Sequence, residues 1–77
     1  MNANRRKRLE KVIGRLTELM AEIDAVREDE QEAYDNMPEG LQYSERGEQM
    51  SDNIDTLDMS YLDLGNVINQ LQEIVEA

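Results

Sequence analysis

The chain has 77 residues, with 8 Lys+Arg against 18 Asp+Glu, a net charge of −10, and no Cys, His, Trp or Phe. Without imidazole or thiol it lacks the usual nucleophiles and bases, a zinc site of the N/S type and any disulfide framework. Its apolar runs stop at two or three residues, too short for a membrane span or a secretory-signal core. These features predict a small, non-enzymatic, cytoplasmic protein. A single core below about 80 residues is marginal, so stability is expected from idealised helix packing, in part between chains.

The first predicted element is a helix over 4–36. Leu9, Val12, Leu16, Leu19, Ile23 and Val26 follow alternating steps of three and four, the seam of a heptad repeat, and Ile13 and Met20 widen that seam. The helix begins basic. Residues 1–15 carry Arg5, Arg6, Lys7, Arg8, Lys11 and Arg15 against Glu10 alone, a balance of +5, whereas residues 16–77 carry a balance of −15. The four consecutive cations Arg5, Arg6, Lys7 and Arg8 are a candidate anion or phosphate site; a solvated, frayed tail is the alternative. Gly14 interrupts good helical sequence at a cost of about 1 kcal/mol relative to Ala. It and Gly65 mark either close backbone approach at an interface or tolerated drift. Glu30 falls on a seam position, where it either sits in a solvated tip or specifies register or a partner.

A turn follows over 37–44. Asn36-Met37-Pro38-Glu39-Gly40 holds the chain's one Pro and reads as a reversal containing a short helical turn. Around it gather Tyr34, Asn36, Gln42, Tyr43, Ser44 and Arg46. Two rings with a guanidinium suit a nucleobase and its phosphate, and these residues are the second candidate ligand site. The competing reading is structural, with the rings plugging the end of a bundle and Asn36 capping the turn.

The second predicted helix covers 45–76. Ser44 can cap it, and Glu45 and Glu48 face the positive end of its dipole. Its seam runs through Met50, Ile54, Leu57, Tyr61, Leu64, Ile68, Leu71 and Val75, widened by Leu62, Val67 and Ile74. Pairing the two seams in opposite directions matches Leu9 with Val75, Leu16 with Ile68 and Val26 with Leu57, each pair of residue numbers adding to 83 or 84. The reversal is then centred near Leu41 and Gln42, where the turn chemistry also lies. Lys11 with Glu73 and Arg8 with Glu76 become candidate cross-helix ion pairs worth about 0–1 kcal/mol each if exposed.

Three apolar positions per heptad exceed what one partner helix covers. The expected fold is therefore all-α: an antiparallel, coiled-coil-like two-helix hairpin that oligomerises into a helical bundle as a dimer or tetramer. Its expected interface comprises Leu9, Ile13, Leu16, Met20, Leu62, Gly65, Val67 and Ile74. The lengthwise charge polarity favours a two-fold antiparallel arrangement that sets basic ends against acidic tips and builds composite sites.

No Glu-x-x-His, calcium loop or phosphate-binding Gly loop occurs, and Ser44 has no suitable base. No catalytic residue, metal or cofactor is expected, and an acidic surface disfavours duplex DNA as a partner. Glu18, Glu22, Asp24, Asp52, Asp55, Asp58 and Asp63 leave open a DNA-mimic reading, in which carboxylates occupy a basic groove of a host protein.

The run Glu-Gln-Glu-Ala-Tyr-Asp-Asn-Met-Pro-Glu-Gly-Leu-Gln-Tyr-Ser-Glu-Arg-Gly-Glu-Gln-Met from Glu30 to Met50, with Asn53-Ile54-Asp55-Thr56-Leu57, resembles a group of small proteins of bacteriophages and prophages. The resemblance covers the turn and the start of the second helix, and implies an accessory protein acting in a bacterial cytoplasm. Small phage proteins of this size commonly counter host defence by binding. The expected partners are the chain itself and either a signalling nucleotide or a host defence protein; a plain scaffolding bundle is the third reading.

Overall fold

A computed structural model describes residues 1–77. The chain is all-helical, with α1 at Ala3–Asp35, α2 at Glu39–Gln42 and α3 at Glu45–Glu76. The two long helices lie along one another in a body of 58 × 15 × 13 Å. No helix is long and apolar enough to cross a membrane.

Local chemistry sets the ends of each element. Asn2 caps α1 by accepting from the Arg5 amide at 2.9 Å. Asn36 closes α1 with its amide donating to Glu32 O and Tyr34 O. Pro38 cannot continue a helix but can open one, and its carbonyl accepts from Leu41 N at 2.8 Å and Gln42 N at 3.2 Å, making the single turn of α2. Ser44 caps α3, its hydroxyl accepting from Gly47 N at 3.3 Å while donating to Leu41 O. One side chain thereby ties the end of α2 to the start of α3.

Contacts between the long helices advance along α1 as they retreat along α3. Glu30 meets Asn53 at 3.4 Å, Arg27 meets Asp58 at 2.8 Å, and the Met20 methyl lies 3.7 Å from the position a Cβ would take on Gly65. On α3 the line turned toward α1 is the expected one except at Tyr61, which is exposed: Ile54 and Ile68 are its two buried apolar side chains, and Met50, Leu57, Leu64, Leu71 and Val75 are half-buried.

On α1 the expected seam is corrected. Leu9, Leu16 and Ile23 face α3, but the residues between them are Ile13, Met20 and Arg27, all half-buried, whereas Val12, Leu19 and Val26 are 44%, 50% and 56% exposed. In this rotation Met20 lies against Gly65, and Arg27 reaches Asp58 in the chain's one ion pair. The same rotation breaks the expected Lys11–Glu73 and Arg8–Glu76 pairs, because Arg8 and Lys11 line an outward cleft of α1 instead.

The exposed surface is 5940 Å². A compact monomer of 8.9 kDa would expose about 4800 Å². The excess follows from the shape, since only 3 of 77 residues are buried.

Candidate functional site

Two clefts, one at each end of the body, collect half of the candidate ligand residues. The basic cleft, about 660 Å³, is lined by Met1, Arg5, Arg8, Leu9, Lys11, Val12, Gly14, Arg15 and Glu18. Its four cations come from successive turns of α1, which places them along one side of the helix. None is ion-paired. The first turn of α1 also carries no acidic residue, so the positive end of the helix dipole adds to the cationic field instead of being offset. An incoming anion relieves both.

The remaining residues of the expected cationic run lie elsewhere. Arg6 is half-buried with Nη2 donating to Met1 O at 3.3 Å, and its Nε is enclosed without a hydrogen-bond partner. Lys7 is exposed but does not line the cleft. Lys11 and Arg15, noted only as part of the basic segment, complete the set; their signal was the three-and-four spacing from Arg8.

The turn cleft, about 430 Å³, is lined by Ala33, Asn36, Met37, Pro38, Leu41, Ser44, Arg46 and Met50. It brings Asn36, Ser44 and Arg46 together, as the ligand reading requires. Gln42 does something different. Its half-buried Nε2 donates to Tyr34 O at 3.0 Å and Met37 O at 3.4 Å, tying the end of α1 to the turn; Tyr34 O also accepts from Met37 N. Tyr34 is half-buried, whereas Tyr43 is 76% exposed and stands outside the cleft lining.

Gly47 was not singled out from the sequence, yet it is buried beneath α2. A Cβ there would stand 2.5 Å from Leu41 O and closer still to Gln42 O. The signal was available in the Ser44-x-x-Gly47 spacing, because the third helical position after a Ser cap more often carries Glu or Gln.

The two clefts do not meet within one chain. Residues 5 and 36 are separated by about 46 Å of helix at 1.5 Å per residue. A third, apolar groove of about 360 Å³ lies between them, lined by Leu16, Leu19, Glu22, Ile23, Val26, Leu57 and Leu64. Of the expected interface residues, Leu9, Ile13, Leu16, Met20 and Gly65 are half-buried, whereas Leu62, Val67 and Ile74 are exposed. Met20 and Gly65 are used against each other within the chain. No group of three or more Asp or Glu carboxylates is placed to hold a metal ion.

Comparison with protein-family models, curated proteins and solved structures finds no match to this chain.

Proposed function

We propose that this chain is a non-enzymatic binding protein of phage type, a helical hairpin that assembles with copies of itself and counters a host defence system by sequestering a nucleotide immune signal in the bacterial cytoplasm. The observation that carries this reading is the basic cleft: four unpaired cations along the first turns of α1, on a chain of net charge −10. A phosphate bound there offsets the mutual repulsion of Arg5, Arg8, Lys11 and Arg15. At the opposite end, Arg46 in the turn cleft and the exposed ring of Tyr43 offer a guanidinium and a stacking face for a base. The phage and counter-defence context rests on the resemblance of the Glu30 to Met50 segment.

The test is a thermal-shift panel of cyclic and linear immune nucleotides, with each ligand recovered after heat denaturation. One member is expected to raise the melting point strongly, since ligand at 100 times Kd adds about 2.7 kcal/mol, and to be recovered unmodified. The double variant Arg5→Ala/Lys11→Ala is expected to abolish the shift. Conversion of the ligand overturns the non-enzymatic reading. No shift with any member overturns sequestration in favour of an acidic inhibitor or DNA mimic that occupies a host protein.

A further inference from the structure

The fold turns Arg27 toward α3 and leaves Val12, Leu19 and Val26 outside, although these three would have completed an apolar seam. They recur every seven residues and so form one line along α1. Beside them runs a second line at the same spacing: Arg8, Arg15, Glu22 and Asp29. All four are exposed, and none is ion-paired. The apolar line reads the same in either direction about Leu19, whereas the charged line, two cations followed by two anions, inverts its sign on reversal.

We infer that a second copy of this chain docks on this face, with the two α1 helices antiparallel about a two-fold axis at Leu19. Val12 then packs against Val26 of the second copy and Leu19 against its own equivalent. Arg8 faces Asp29 of the second copy, and Arg15 faces its Glu22. The two-fold repeats both pairs, giving four attractive contacts, whereas a parallel copy in register sets Arg against Arg and carboxylate against carboxylate.

One further observation points to the same occupant. The first turn of α1 carries Arg5 and Arg6 with no acidic residue, and its last turn carries Glu32 and Asp35 with no basic one, so both ends oppose its dipole; an antiparallel neighbour offsets both at once.

This inference deepens the homo-oligomer part of the proposed function and rests on it. It also supplies what a single chain lacks. With residue numbers pairing near 38, Arg5 of one copy comes level with Ala33 of the other, the residue that follows Val26 by one heptad and lines the turn cleft. The basic cleft of each copy, with Arg8 and Arg15 paired across the interface and Arg5 and Lys11 left for a phosphate, therefore abuts the turn cleft of its neighbour. The dimer carries two such composite sites, about 42 Å apart at 1.5 Å per residue.

The test is multi-angle light scattering of the protein without nucleotide, at low salt, for wild type, Arg15→Glu, Glu22→Arg and the double variant. Wild type is expected at twice the chain mass of 8.9 kDa or an even multiple of it. Each single exchange sets like charges together at two symmetry-related places and is expected to weaken association at least tenfold; the double exchange restores it. Because the chain has no Cys, Leu19→Cys is also expected to cross-link to itself on oxidation. Leu62→Cys, which is exposed on a different face of α3, is not expected to do so. A monomeric wild type overturns this inference together with the homo-oligomer reading, while nucleotide binding is still judged by thermal shift. An oligomer in which the double exchange fails to restore association, or Leu19→Cys fails to cross-link, overturns the α1 face alone.

Discussion

Replacing glycine by alanine at two helical positions should move stability in opposite directions. In open helix the change stabilises by about 0.5–1 kcal/mol, since Gly loses more backbone entropy on folding. Gly14 meets that condition, with nothing within 4 Å of an added Cβ. At Gly47 the new methyl would be 2.5 Å from Leu41 O and nearer to Gln42 O. Both are backbone atoms, so relief requires α2 itself to move. Overpacking of this kind costs about 1–3 kcal/mol. Displacing α2 also weakens the Gln42 bonds to Tyr34 O and Met37 O, each worth about 0.5–1.5 kcal/mol. Set against the propensity gain, the net loss at Gly47→Ala is about 1–4 kcal/mol. For a domain of this size 1 kcal/mol corresponds to about 4–8 °C in melting temperature, so Gly47→Ala should melt on the order of 10 °C lower and Gly14→Ala a few degrees higher. Circular dichroism melts at one fixed protein concentration are the assay, because the proposed self-association would make the midpoint concentration-dependent. A Gly47→Ala protein melting at or above wild type would refute the close packing of α2 on α3.

Two other substitutions probe the same structure. Ser44→Ala removes the hydroxyl that accepts from Gly47 N and donates to Leu41 O, and denaturant titration should show a loss of about 1 kcal/mol. Arg27→Ala breaks the Arg27–Asp58 pair, whose side chains are 31% and 50% exposed; the loss attributable to the pair, read from a double-mutant cycle with Asp58→Ala, should be about 0.2–1 kcal/mol and shrink as salt is added.

Periodicity carried much of this architecture. The observed helices at Ala3–Asp35 and Glu45–Glu76 stand beside expected spans of 4–36 and 45–76, and the line of α3 that faces α1 is the one its heptads indicate. The facing line of α1 was not legible, because that helix carries two apolar lines sharing Leu9, Leu16 and Ile23. The observed line includes Arg27, which reaches Asp58 only through its long side chain and which a hydrophobic pattern counts as solvent-facing. The ion pairs expected at the open end failed for the same reason, since a modest rotation of α1 redirects Arg8 and Lys11 altogether. At the turn, residue types announced that something specific happens there but not which side chain does what. Gln42 is of a type that suits ligand binding, while the geometry gives its amide to Tyr34 O and Met37 O. Side-chain hydrogen bonds to backbone depend on where the chain end points, which composition does not encode.

The contacts between the long helices also have an order in chain distance. Glu30 with Asn53, Arg27 with Asp58 and Met20 with Gly65 span 23, 31 and 45 residues and are nested one inside the next. Once the innermost contact has formed, each further one adds little loop to close: doubling a loop costs only about 0.6 kcal/mol. The topology is that of a zipper whose slider starts at α2. Substitutions beside the turn accordingly bear on how fast the chain folds, and those near the basic end on how readily it opens. The basic segment of α1 is the last to be fastened.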